Sequence, residues 1–106
     1  MMLGRVQVPP HVKRGEVFEV RVIVQHPMET GFRRDAEGKR VPRNAIHSLA
    51  CRYNGAEVFR ATLSTGIAAN PYFVFPVLAT RSGELAIEWS DDRGEKGRVA
   101  AMVNVT

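Results

Sequence analysis

His11, His26, His47 and Cys51 are the side chains in this sequence that bind a borderline metal strongly or take part in nucleophilic chemistry. A metal site needs several such ligands close together, commonly two to five residues apart. Only His47 and Cys51 have that spacing, and an i, i+4 pair in a strand shares a face but lies roughly 13 Å apart, too far for one ion. Cys51 with His26 or His47 is formally a nucleophile and base. Yet Cys51 falls in phase with Leu49, which puts its thiol in the core, where it is neutral and inert. Asp91 and Asp92 form the one adjacent pair of carboxylates, but neighbours in extended chain point apart, and the Arg93-Gly94 that follows marks a turn. They read as a solvated hairpin tip. No catalytic residue, metal ligand set or cofactor is expected.

The elements that position these residues are strands. From Val17 to Gln25 the apolar Phe18, Val20, Val22 and Val24 alternate with a set containing Glu19, Arg21 and Gln25, the period of a half-buried strand. His47, Leu49, Cys51 and Tyr53 alternate with Ser48, Ala50 and Arg52 in the same way. Asn54-Gly55 then supplies a two-residue turn into Glu57 to Leu63. Arg5 to Val8, Tyr72 to Ala79, Leu85 to Ser90 and Val99 to Val105 complete about seven strands, with no window of helical spacing over three turns. The expectation is an all-β fold, an immunoglobulin-like antiparallel β-sandwich spanning 1–106 as a single domain, with Phe18, Val20, Val22, Leu49, Cys51, Ile87 and Trp89 inward.

Composition narrows the function. The 106 residues carry a formal charge of +4, with 15 Lys+Arg interleaved among 11 Asp+Glu. Nucleic-acid binding asks for cations gathered on one face with aromatics among them, so it is not expected. Only 33–43 is locally basic, and that cluster reads first as a solvated loop. A membrane span needs about 18 or more consecutive apolar residues, which the sequence lacks, so no membrane partner is expected. The first ten residues break off at Pro9-Pro10 without the apolar run of a secretory signal.

If the strands run up and down in order, the connections 26–44, 64–71 and 91–97 share one end. Long structured loops commonly carry function, so this is the expected contact end. Met28, Phe32, Ile67 and Tyr72 are its expected apolar contacts, with Asn70 beside them and Arg33 and Arg34 in a polar rim. An apolar patch without its partner seeks another surface, so the isolated chain is also expected to form homodimers at high concentration.

His26-Pro27-Met28-Glu29-Thr30-Gly31, the segment from Gly66 to Tyr72, Cys51-Arg52-Tyr53-Asn54-Gly55, Val58-Phe59-Arg60 and Trp89-Ser90-Asp91-Asp92-Arg93-Gly94 closely resemble, in order along nearly the whole chain, the SoxZ family. SoxZ is the smaller subunit of the SoxYZ sulfur carrier. The resemblance implies a non-catalytic sandwich that forms a stable heterodimer with SoxY in bacterial thiosulfate oxidation. SoxY carries sulfur intermediates on a cysteine near the end of a flexible Gly-rich arm, and presents them to other Sox enzymes, which this chain would then meet only transiently. It also implies a periplasmic location, with SoxZ crossing alongside folded SoxY. The chain's own ending, Val103 to Thr106, has neither Gly-rich arm nor cysteine, which fits the role of helper rather than carrier. Two alternatives stand beside this. One is a stand-alone immunoglobulin-like interaction module. The other is an iron protein resembling superoxide reductase, which also has a His-Pro-Met segment, although the further His and the Cys-x-x-His of that family are missing here.

Overall fold

A computed structural model describes residues 3–63 and 69–106 of the chain. Its strands are β1 (Gly4–Gln7), β2 (Val17–Val24), β3 (Ile46–Tyr53), β4 (Ala56–Thr62), β5 (Tyr72–Leu78), β6 (Gly83–Asp91) and β7 (Lys96–Val103). They form two sheets, β1-β2-β5 and β4-β3-β6-β7, antiparallel at every strand pair. The sandwich expected from the alternation is the one observed.

Binary pattern explains the layering. In β2 every second residue is buried, and Phe18, Val20, Val22 and Val24 face Leu49, Cys51, Leu85, Ile87 and Trp89 of the other sheet within one apolar cluster. β-branched valines suit the pleated backbone and lose little rotamer freedom in it. Phe59 of β4 stacks on Phe75 of β5, centroids 4.1 Å apart, which closes one side of the sandwich between edge strands. At the other side Trp89 lies over two glycines. A Cβ on Gly97 would sit 2.2 Å from the indole and one on Gly4 2.5 Å, so only glycine admits the ring there. Asn54 and Gly55 both have positive φ, 52° and 84°, the backbone that the two-residue hairpin turn demands.

Strand phase misplaces one residue. His47 is exposed although it is two residues from buried Leu49, and Ile46 takes the inward position instead. The register of β3 on β6 shifts between Ile46, opposite Asp91, and Ser48, opposite Ser90. A β-bulge there inserts one residue and reverses the alternation below Leu49.

Candidate interaction surfaces

At the end where β2 stops, the inward phase of the strand continues. His26 is 3% exposed and its ring is held twice: the Met28 N–H donates to Nδ1 at 2.9 Å, and Nε2 lies 3.1 Å from Oδ2 of Asp91. An acceptor at Nδ1 leaves the ring proton on Nε2, so the imidazole donates to the carboxylate. Asp91 is 1% exposed and also accepts the N–H groups of Arg93 and Glu95 through Oδ1. Burial pushes its pKa up, but the hydrogen bonds from His26, Glu95 and Arg93 outweigh burial and hold it below the ordinary value. Asp91 is therefore no solvated hairpin tip: its side chain turns inward and caps the β6–β7 turn. Asp92 points away from it and accepts the Ala45 N–H at 3.0 Å, with Arg43 3.2 Å from the same oxygen.

Three connections thus meet at this end, as the strand directions predicted. The β4–β5 connection joins through Asn70, which exchanges two hydrogen bonds with the His26 backbone: its N–H to the carbonyl at 2.8 Å and its Oδ1 from the His26 N–H at 3.0 Å. Met28, expected as an outward contact, is only 4% exposed, and its sulfur accepts the Ile46 N–H at 3.3 Å. That expectation is corrected: Met28 keeps the inward parity of β2 and belongs to the core. Ile67 lies outside the described residues.

Between Glu29 and Asn44 the chain makes a hairpin-like arm, closed by reciprocal backbone hydrogen bonds between those two residues and by an Arg34–Arg40 bridge further out. Arg33 pairs with Glu29 at 2.6 Å, and Arg34 donates to the Gly38 carbonyl at 2.9 Å. Phe32 is 77% exposed, with the Arg40 guanidinium 5.9 Å from its ring centre. The molecule is 57 Å long and about 20 Å across. Strands of seven to nine residues span only about 23–30 Å of this, so much of the length lies in the end loops.

The two outer faces differ in chemistry. On β4-β3-β6-β7 the outward residues include three ion pairs, Arg52 with Glu88, Arg60 with Glu57 and Arg98 with Glu84, with Met102 a large apolar side chain exposed beside them. On the smaller sheet, Tyr72, Val74, Pro76 and Leu78 of β5 all face outward, and Ile23 and Val17 of β2 stand opposite Tyr72 and Leu78. Strand alternation alone could have found this face, since odd positions of β2 and even positions of β5 are the outward ones. Only Tyr72 of it was singled out from the sequence.

Cys51, the only cysteine in the sequence, is fully buried between Phe59 and Ile87, and burial pushes its thiol up to about 11. Iron ligation of the superoxide reductase kind does not fit these residues. Both nitrogens of His26 are engaged, the sulfur of Cys51 is in the core, and no group of three or more His, Cys, Asp or Glu gathers among the described residues.

The fold is shared with several solved structures. A superoxide reductase (neelaredoxin) from Ignicoccus hospitalis superposes with a TM-score of 0.73 at 20% identity, covering 97% of this chain and 79% of its own. The sulfur carrier protein SoxY from Chlorobium limicola f. thiosulfatophilum gives 0.65 at 13% identity, covering 97% and 78%. The CARDB domain of a Pyrococcus furiosus protein, solved with two metal ions, gives 0.63 at 18%, covering 99% and 92%. These likenesses show a common sandwich and no more. No curated protein matches the sequence closely enough to count as a relative. Family membership comes from the sequence itself: the model of the family described as "Sulphur oxidation protein SoxZ" matches residues 6–101, which contain the described part of every motif that carried the resemblance. By that match the chain belongs to the SoxZ family and is a subunit of the Sox sulfur-oxidation system.

Proposed function

We propose that this chain is the non-catalytic half of a periplasmic sulfur carrier: it binds SoxY in a stable heterodimer and helps present the cysteine arm of SoxY, with its sulfur intermediates, to the Sox enzymes of thiosulfate oxidation. The observation that carries this reading is the state of Cys51. Sulfur transfer needs an accessible thiolate, because the thiolate is the attacking species. Cys51 is the chain's one thiol, it has no exposed surface, and burial pushes its pKa up to about 11, which favours the neutral thiol at neutral pH. A rigid strand also offers no means of carrying cargo from one enzyme to the next. These features favour cargo that rides on a partner, and the sulfur carrier protein SoxY, in its solved structure, has the same fold.

The test is the heterodimer purified from sulfur-fed cells of the native host. Mass spectrometry of both subunits is expected to find sulfur adducts on SoxY and none on Cys51, in a periplasmic fraction. Cys51→Ala is expected to pair with SoxY and support full thiosulfate oxidation. An adduct on Cys51, or loss of oxidation with the heterodimer intact, would overturn the division of labour.

A further inference from the structure

We propose that the outer face of the β1-β2-β5 sheet, and not the loop end, is where SoxY docks, by laying one of its own sheet faces against it. This rests on the reading that SoxY is the partner. Five of the large apolar residues exposed among the described residues stand on this one face: Val17 at 66%, Tyr72 at 56%, Leu78 at 53%, Val74 at 46% and Ile23 at 40%. A contiguous apolar surface of this kind on a soluble protein marks an interaction site. The opposite outer face, with its ion pairs, is the ordinary solvated kind.

The chemistry of the face selects its occupant. Its apolar ends, Ile23 with Tyr72 and Val17 with Leu78, flank a central charged pair, Arg21 and Glu19, which neutralise each other at 2.9 Å, and Arg5 and Gln7 of β1 form a polar margin beside Ile23 and Arg21. With Arg5 the one charge beyond that pair, the face carries little net charge, which argues against nucleic acid or a strongly charged protein. Strand addition at the open edge of β5 is disfavoured in its middle. Val24 donates to the Pro71 carbonyl, which puts that pair at a hydrogen-bonded position although Pro71 has no N–H to return, and by alternation the pair of Glu19 and Pro76 is at a non-hydrogen-bonded one. The Pro76 nitrogen therefore faces the open edge, where it has no hydrogen to give. What remains is face-to-face packing of a second pleated sheet, the way sheets stack in sandwiches. The solved SoxY structure has this same sandwich fold, and a sandwich has two outer sheet faces.

Val74→Glu tests the assignment without touching the core. Titration of full-length SoxY into the variant is expected to show binding weakened by about 10-fold or more, since the new carboxylate, although opposite Arg21, must be stripped of water inside the contact. Tyr72→Ala, which removes the one aromatic ring on the face, is expected to lose about 10-fold. Met102→Glu, on the other outer face, and Phe32→Ala, on the arm, are expected to bind like the wild type. Melting curves establish that each variant folds. Wild-type affinity in folded Val74→Glu, or a large loss in Phe32→Ala instead, would overturn this placement and leave the SoxY reading intact. No complex between SoxY and the wild-type chain would overturn that reading itself. A wild-type chain that dimerises through this face yet ignores SoxY would assign the face to a second copy and overturn the proposal.

Discussion

The two sheets of this sandwich have the same inside and different outsides. Both turn valine, leucine, isoleucine and aromatic side chains toward one shared cluster. Outward, the four-stranded sheet carries three ion pairs with Met102 beside them, while the three-stranded sheet keeps a run of apolar side chains along β5 in water. Stability needs only the inside. A fold that could be stable with two polar outer faces leaves one of them apolar, and it is on this asymmetry that the proposed docking surface rests.

The inner face of the small sheet is the place where the largest effect is expected. Val22 is fully buried opposite Phe73 and Val6. Val22→Asp places an unpaired carboxylate there at a cost of several kcal/mol, against a typical total stability of about 5–15. No cooperative melting transition is expected by circular dichroism. Val74→Glu, on the outer face of the same sheet, is expected to melt within about 2 °C of the wild type. A wild-type transition in Val22→Asp would break the assignment of inside and outside.

Next in size is the polar fastening at the loop end. Removing the carboxylate in Asp91→Ala strands the His26 Nε2–H and the N–H groups of Arg93 and Glu95 without their acceptor, and about 2–4 kcal/mol should be lost in chemical denaturation. The pH dependence follows from the lowered pKa of Asp91. A carboxylate that is more acidic in the folded state stabilises above its unfolded value, near 3.8, and that stabilisation fades as pH falls toward the folded value. The gap between wild type and Asp91→Ala should therefore hold from neutral pH to about 5 and narrow below about 4. A gap that widens in acid would contradict the geometry.

The sequence carried the strands because alternation is a strong signal wherever one face is buried. The same signal reached further than the strands: His26 and Met28 keep the even parity of Phe18 to Val24, and Asp91 keeps the odd parity of Leu85 to Trp89. Read through the strand ends, it would have buried all three and removed both Met28 as a contact and Asp91 as a solvated tip. Polar residues at chain punctuation look like loop, and that appearance hid them. His47 fails for the opposite reason. A bulge adds one residue to β3, and nothing in the residue types between Ile46 and Ser48 announces it. The arm from Glu29 to Asn44 was legible as a long connection, but its pairing depends on backbone hydrogen bonds that residue types do not specify.

A smaller effect is expected at Cys51, where the two sheets meet. Cys51→Ala removes one buried sulfur and leaves a small void among Phe59, Ile87 and their neighbours, with an expected loss of about 1–2 kcal/mol in the denaturation midpoint. A thiol reagent should leave the native wild-type protein unmodified over minutes and label it only in denaturant. Rapid labelling of the folded chain would mean that the sheets part near Cys51, and the contrast between sealed interior and sticky exterior would weaken.

The smallest effect belongs to the charged face. Arg52 and Glu88 stand about half exposed, their closest atoms 3.4 Å apart. Water already solvates both side chains, and holding two long chains in one geometry costs rotamer entropy, so such pairs contribute less than about 0.5 kcal/mol. Arg52→Ala is expected to melt within measurement error of the wild type and to bind SoxY unchanged. The pair of substitutions Arg52→Ala and Glu88→Ala should show no coupling beyond that figure. If either one instead weakened SoxY as much as Val74→Glu, the partner would have to reach both sheets. The difference between the two outer faces would then be one of composition, without a difference in use.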